Sequence, residues 1–317
     1  MKNKSLPLLI SITMTVAGLV SGLTARTAEA ATPAANPVAT PVATLTESAP
    51  AALRLTVRGE GKPLLMIPGL NSAASVWDET CERLQPGVRC LMVQLPGFAG
   101  QPASDAFSAQ FLETSKTQLI ALLRREAPQG ATVVGHSLGG ALALMMASEA
   151  DTPVRRLVIV DSLPFFAGIQ NPAAKSDSVR PMAEAMRAGM QQPSTPEQLR
   201  AQLAPMAATM AHAPERIETI VQWGLQSDRK TTANAMYELW TQDLRPQLAR
   251  IQVPTTVLGS WAAYARMGST EASTRALFER QYQGLAQLDL RMSAAGYHFL
   301  MWDDTALVTG ALQQALR

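Results

Sequence analysis

The tightest constraint on the fold of this 317-residue chain lies near its middle, at residues 132–150. Thr132-Val133-Val134 is apolar and β-branched, Gly135-His136-Ser137-Leu138-Gly139-Gly140 follows, and the run to Ala150 is rich in alanine, leucine and methionine. That succession predicts a strand, a tight turn and a helix with nothing between them. A serine on so sharp a turn has its hydroxyl exposed, and only glycine beside it lets strand and helix approach closely. The helix that follows directs its free N–H groups back at the turn, so the Leu138 amide is a candidate donor to a developing oxyanion.

The rest of the chain agrees with that passage. Short apolar runs bounded by Gly or Pro are predicted as strands at residues 53–58, 64–67, 89–94, 132–134, 157–160, 255–258 and 289–292. Longer helical patterns alternate with them, which is the mark of βαβ units and a mostly parallel sheet. From residue 163 to 250 the alternation stops. Here the sequence is helical and punctuated by Pro164, Pro172, Pro181, Pro193, Pro196, Pro205 and Pro214, which predicts a helical cap inserted between two parts of a core, 51–162 and 251–317.

The first thirty residues are set apart from this fold. Lys2 and Lys4 precede an apolar stretch, and Ala28-Glu29-Ala30 suits cleavage after Ala30, so 1–30 reads as an export signal. The protein is then expected in the periplasm or outside the cell, without a stable membrane anchor; an uncleaved anchor is the alternative reading. Residues 31–50, rich in Ala, Pro and Thr, read as an extended linker.

Charge narrows the range of partners. Loss of residues 1–30 removes a net of +2 from a chain of formal charge +2, leaving zero and no electrostatic case for nucleic acid. With 47% hydrophobic and 16% charged residues the chain has a large core to bury. Its two cysteines, Cys81 and Cys90, are placed for a disulfide if the protein is exported, two buried thiols being the alternative. No CxxC is present and histidines are few, so neither a metal nor any other cofactor is expected.

Upstream of the serine turn, Leu64-Leu65-Met66-Ile67 leads into Pro68-Gly69-Leu70-Asn71, and Leu95-Pro96-Gly97-Phe98 lies further on. With these motifs the chain resembles the α/β-hydrolase fold superfamily over nearly all of residues 53–317. The resemblance implies a mostly parallel central sheet flanked by helices, with Ser137 as nucleophile. In the family a His-Gly loop after the third strand donates the second oxyanion N–H; here Pro68 replaces the His while Gly69 remains, which implies the Leu70 amide. Where the family often has Asp before Leu-Pro-Gly, this chain has Gln94.

A serine nucleophile needs a base, and the chain has three histidines. His136 adjoins the serine on a turn that points its neighbours elsewhere, so packing is expected of it. His212 lies in the cap, where a solvated or capping role is expected. His298, in Gly296-Tyr297-His298-Phe299-Leu300 after the last strand, gives the chain order Ser, acid, His and is the expected base. Asp303 is expected to cap the terminal helix. The acid departs from the family's commonest pattern, because Leu258-Gly259-Ser260-Trp261 carries no carboxylate. Resemblance to members whose acid follows the sixth strand makes Asp161 the replacement, with Glu271 second and a Ser-His dyad still open.

Met182, Met186, Met190, Met206, Met210 and Met236 stand among the alanines of the cap. Met surfaces suit apolar ligands, yet helical spacing favours core packing for them. Phe165, Phe166 and Trp261 are candidates for the pocket mouth. The expected activity is hydrolysis of a small carboxylic ester or thioester through an acyl-enzyme on Ser137. A proline-iminopeptidase-like amidase, an acyltransferase, and a non-catalytic binding protein on the same fold are the alternatives.

Overall fold

The computed structural model describes residues 52–317, so the signal segment 1–30 and the linker 31–50 lie outside the described residues. All seven predicted strands are present: β1 (Arg54–Arg58), β2 (Gly61–Ile67), β3 (Gly87–Gln94), β4 (Ala131–His136), β5 (Val154–Val160), β6 (Thr255–Gly259) and β7 (Leu288–Met292). They form one sheet in the order β1-β3-β2-β4-β5-β6-β7, with only the β1–β3 pair antiparallel. The strand that the family counts third is β2 here.

Strand sequence decides the layering. Leu65, Leu91, Val133, Leu157 and Val257 face one apolar cluster, while their neighbours Leu64, Cys90, Val134, Val158 and Leu258 face another. Successive side chains point to opposite faces, so strands that are apolar at every position must be covered on both sides. The first cluster packs under α3 (Phe111–Glu126) and α4 (Leu138–Ser148). The second includes Cys81 from α1 (Asp78–Arg83) and Val308 and Leu312 from the terminal helix. Cys81 and Cys90 are disulfide-bonded and buried, which fastens α1 to β3. A short helix, α2 (Asp105–Ala109), precedes α3.

Four helices lie between β5 and β6: α5 (Ser176–Gln191), α6 (Pro196–Ala207), α7 (Pro214–Gln226) and α8 (Arg229–Thr241). Pro196 and Pro214 open α6 and α7, where a missing N–H costs nothing. Pro181 and Pro205 instead lie inside helices without ending them. The insertion is seated on the core through Ala235 of α8 and through Leu244 and Leu248 near its end, all members of the main apolar cluster. After β6 come α9 (Glu271–Gln281), α10 (Leu300–Asp303) and α11 (Thr305–Ala315).

Asp303 does not cap the terminal helix. Asp304 does, its side chain accepting from Leu307 N at 3.2 Å. The break between α10 and α11 falls at Asp304, which is non-helical at φ −138° and ψ 61° and takes the N-cap position of α11.

Among the described residues no helix is long and apolar enough to cross a membrane.

Strand order determines where loops meet. The chain leaves β2 for β3 on one side and crosses to β4 on the other, so the loops after β2 and β4 open side by side at the carboxyl edge, where such sheets bind ligands.

Candidate active site

Ser137 sits at that edge with φ 52° and ψ −118°, a conformation that side-chain-bearing residues rarely adopt. The turn holds because the chain around it leaves no alternative. A Cβ on Gly135 would lie 2.1 Å from the Gly139 carbonyl oxygen, and one on Gly139 would lie 2.4 Å from that of Ile67. Ser137 N donates to Val160 O at 3.0 Å, tying the turn to the end of β5.

The Leu138 N–H is the first of α4 and, like that of Leu70, makes no hydrogen bond to another described residue. Both lie on the rim of the cavity that Ser137 lines. The loop carrying Leu70 is held from three sides. Ser72 N donates to Gly69 O at 3.2 Å, and Thr232 of α8 donates its hydroxyl to Asn71 Oδ1 at 2.6 Å. Gln94 accepts from Ala74 N at 2.8 Å and donates to Leu95 O at 3.1 Å, bridging this loop to the one after β3.

His298 and Asp161 meet. His298 Nδ1 lies 2.7 Å from Asp161 Oδ2, across 137 residues of sequence. Asp161 follows β5 directly with φ 44°, and its own N–H donates to Leu258 O at 2.7 Å. Ser260, at the end of β6 where the family more often has its acid, donates to Asp161 twice, from its amide and its hydroxyl, each at 2.8 Å. Glu271 is far from this arrangement in role: it opens α9 and pairs with Arg275 at 3.3 Å. The Ser137 hydroxyl makes no hydrogen bond among the described residues; such links commonly close only with substrate in place.

His136 does more than pack. Its ring is fully buried, and Nε2 lies 3.0 Å from the His298 carbonyl oxygen. A carbonyl only accepts, so the proton is on Nε2, and Nδ1 is a buried lone pair with no partner. Burial pushes the pKa of this imidazole well below its ordinary value and keeps it neutral, with His298 nearby acting in the same direction. Sequence reasoning missed this support for the base, which only the fold brings within reach.

His212 is half-exposed, its ring edge-on to Tyr297 at 4.0 Å between centroids. Its amide donates to Asp303 Oδ1 at 3.2 Å, while Asp303 Oδ2 accepts from Tyr297 N at 3.1 Å. Phe299 N donates to Met210 O at 2.9 Å. The cap loop is thus pinned to the residues on both sides of His298.

A cavity of about 180 Å³ lies between cap and sheet, lined by Ser137, His298 and Asp161 among mostly apolar side chains. Phe166 and Trp261 line it, whereas Phe165 does not: it is fully buried in the cap's own core, with Arg245 over its ring at 4.6 Å. The methionines divide likewise. Met206, Met210 and Met236 reach the cavity, Met186 packs against the cap core, and Met182 is exposed. Packing and lining are not exclusive here: Met210 and Met236 also pack against apolar clusters of the core and of the cap. No cluster of His, Cys, Asp or Glu suited to a metal ion occurs among the described residues.

A hydroxyl on a strained turn, two unpaired main-chain donors beside it and an imidazole backed by a carboxylate define the layout of a serine-nucleophile hydrolase. The sequence matches the Alpha/beta hydrolase family over residues 64–311, and the chain belongs to that family.

Among curated proteins it is 38% identical over 116 residues to the pimeloyl-[acyl-carrier protein] methyl ester esterase of Vibrio atlanticus (strain LGP32), covering 37% of this chain and 42% of that protein. It is 31% identical over 116 residues to the same-named protein of Nitrosomonas europaea, covering 37% and 43%. The match thus spans less than half the length of these relatives. Among solved structures it resembles an esterase from Exiguobacterium antarcticum, with a TM-score of 0.67 at 16% identity over 83% of this chain and 95% of that one. An enol-lactonase from Burkholderia xenovorans LB400 gives 0.65 at 16% identity, with the same coverage. At such identities the structural likeness speaks for the fold alone.

Proposed function

We propose that this protein hydrolyses a small carboxylic ester or thioester through an acyl-enzyme on Ser137. Ser137 Oγ attacks the carbonyl carbon as its proton passes to His298 Nε2, and the Leu70 and Leu138 amides receive the oxyanion. Collapse expels the alcohol or thiol, which takes the proton from His298. A water activated by the same imidazole then attacks the acyl carbonyl, releasing the acid and restoring Ser137. Asp161 keeps the His298 proton on Nδ1 and stabilises the imidazolium without taking the proton itself.

The observation that carries this reading is the 2.7 Å pair of His298 and Asp161 opening onto the same cavity as Ser137. The names of the curated relatives and the apolar cavity lining support an ester as substrate. The test is burst kinetics of the purified protein with p-nitrophenyl esters of increasing chain length. Turnover should vanish in Ser137→Ala and His298→Ala and fall by about 10⁴-fold in kcat in Asp161→Asn. No burst, and no labelling of Ser137 by a fluorophosphonate, would leave a binding protein as the better reading.

The protein is further proposed to act outside the cytoplasm. The signal-like segment 1–30 and the Cys81–Cys90 disulfide support this, since disulfides persist in oxidising compartments. Cell fractionation with a C-terminal tag measures it, and a cytoplasmic pool with reduced thiols would sink it.

A further inference from the structure

Asp303 is a buried acid that the mechanism above does not use. Its side chain is 4% exposed, and no lysine or arginine among the described residues lies within 4.0 Å of it. A carboxylate so placed is costly unless its oxygens are satisfied. Each oxygen is taken by one backbone amide: Oδ2 by Tyr297 N at 3.1 Å and Oδ1 by His212 N at 3.2 Å. A side-chain amide in its place would offer one accepting atom, so the pair of acceptors calls for an acid.

The two amides come from different parts of the molecule. Tyr297 immediately precedes His298, and His212 belongs to the cap, so a single side chain joins them. Neighbouring bonds complete the arrangement. Gly296 N donates to Ser293 Oγ at 2.8 Å, His136 Nε2 donates to the His298 carbonyl at 3.0 Å, and Phe299 N donates to Met210 O at 2.9 Å. The backbone that carries the base is thus fixed on both sides of it, and two of its ties lead to cap residues 210–212. Met210 also lines the cavity, so the cap stretch that meets whatever fills the cavity is the stretch tied to His298.

We propose that Asp303 is a positioning residue: by holding the Tyr297 and His212 amides together it sets the backbone from which His298 serves Ser137, and joins that setting to the cap. This inference rests on the hydrolase reading given above. Asp303 does not line the cavity, so its loss acts on the rate through His298 and leaves substrate binding in place.

The experiment uses the p-nitrophenyl ester that the unaltered protein turns over fastest. Values of kcat and KM are compared for that protein, Asp303→Ala, Asp303→Asn and Glu238→Ala, each expressed per Ser137 labelled to completion by a fluorophosphonate. Misplacement of a catalytic group by about 1 Å costs about 10²-fold, so Asp303→Ala should lose about that factor in kcat. KM should stay within about twofold, as expected when only the chemical steps suffer. Asp303→Asn, which keeps one acceptor, should fall between the two. Glu238→Ala removes a tie between cap and core at α3, away from the base, and should keep its kcat per labelled site. Full kcat in Asp303→Ala, a loss that appears in KM instead, no gain from Asn over Ala, or an equal loss in Glu238→Ala overturns the proposal while leaving the hydrolase reading standing. Failure of both Asp303 variants to fold overturns it as well, by making the carboxylate a residue of the fold. Neither labelling nor turnover in the unaltered protein overturns the two together.

Discussion

His136 adjoins Ser137 in the chain, yet its ring serves His298, by donating to that residue's carbonyl. A buried neutral imidazole has a consequence for stability. Its folded pKa lies well below the ordinary 6.5, so below about pH 6.5 the unfolded chain binds a proton that the folded protein refuses. Stability from this group is therefore full above that pH and is lost as pH falls, by up to about 1.4 kcal/mol per pH unit until the folded value is reached. His136→Gln removes one such proton, so the slope of unfolding free energy between about pH 5 and pH 6.5 should be shallower in urea titrations. An unchanged slope would show the ring to be charged or exposed.

Residues differ in how far they can be read from sequence, and the reason is locality. Ser137 and Leu138 are placed by a strand, a turn and a helix that are contiguous. Asp161 and His298 are brought together by strand order, and no local pattern reports a contact across 137 residues. Asp303 and Asp304 are adjacent and chemically alike; the helix break falls at Asp304, which caps α11, while Asp303 accepts from His212 N and Tyr297 N.

Elements were the most legible scale. The central strands of this doubly covered sheet are continuous apolar runs, the edge strands β1 and β7 mix apolar with polar residues, and all seven segments are strands. Faces within the cap were less legible. Phe165 and Phe166 are neighbours, and the first is fully buried in the cap core while the second packs against that core and also lines the cavity. Met182, Met186 and Met190 share a helical period on α5, but that period fixes only that they lie along a helix and not what lies opposite.

Attachment of the cap also escaped the sequence. Glu238, on α8, is half-buried and accepts from Phe111 N at 2.7 Å and Leu112 N at 2.8 Å, the free amides at the start of α3. Burial pushes its carboxyl up, and the two amides hold it down. Glu238→Ala leaves those amides unpaired and should cost about 1–3 kcal/mol in urea unfolding, with Glu238→Gln retaining part of it. No loss in either variant would mean that water replaces the carboxylate at no cost.

At the scale of the whole molecule, the disulfide closes a short loop, from Cys81 on α1 to Cys90 on β3. Loop closure of that length should contribute about 2–3 kcal/mol, through the unfolded chain. Cys81→Ala/Cys90→Ala, or the unaltered protein kept in dithiothreitol, should shift the urea midpoint downward by a matching amount. Equal midpoints would show that the buried, apolar setting of α1 alone suffices.

Two strands that are neighbours in the sheet, β4 and β5, deliver both Ser137 and Asp161, joined by the bond from Ser137 N to Val160 O. The segment after β6 then supplies Ser260, which holds the acid without being it. Further along it Trp261, Tyr264 and Ser269 line the cavity and Thr270 caps α9, so a loop that shapes what enters is separate from the strand that delivers the carboxylate.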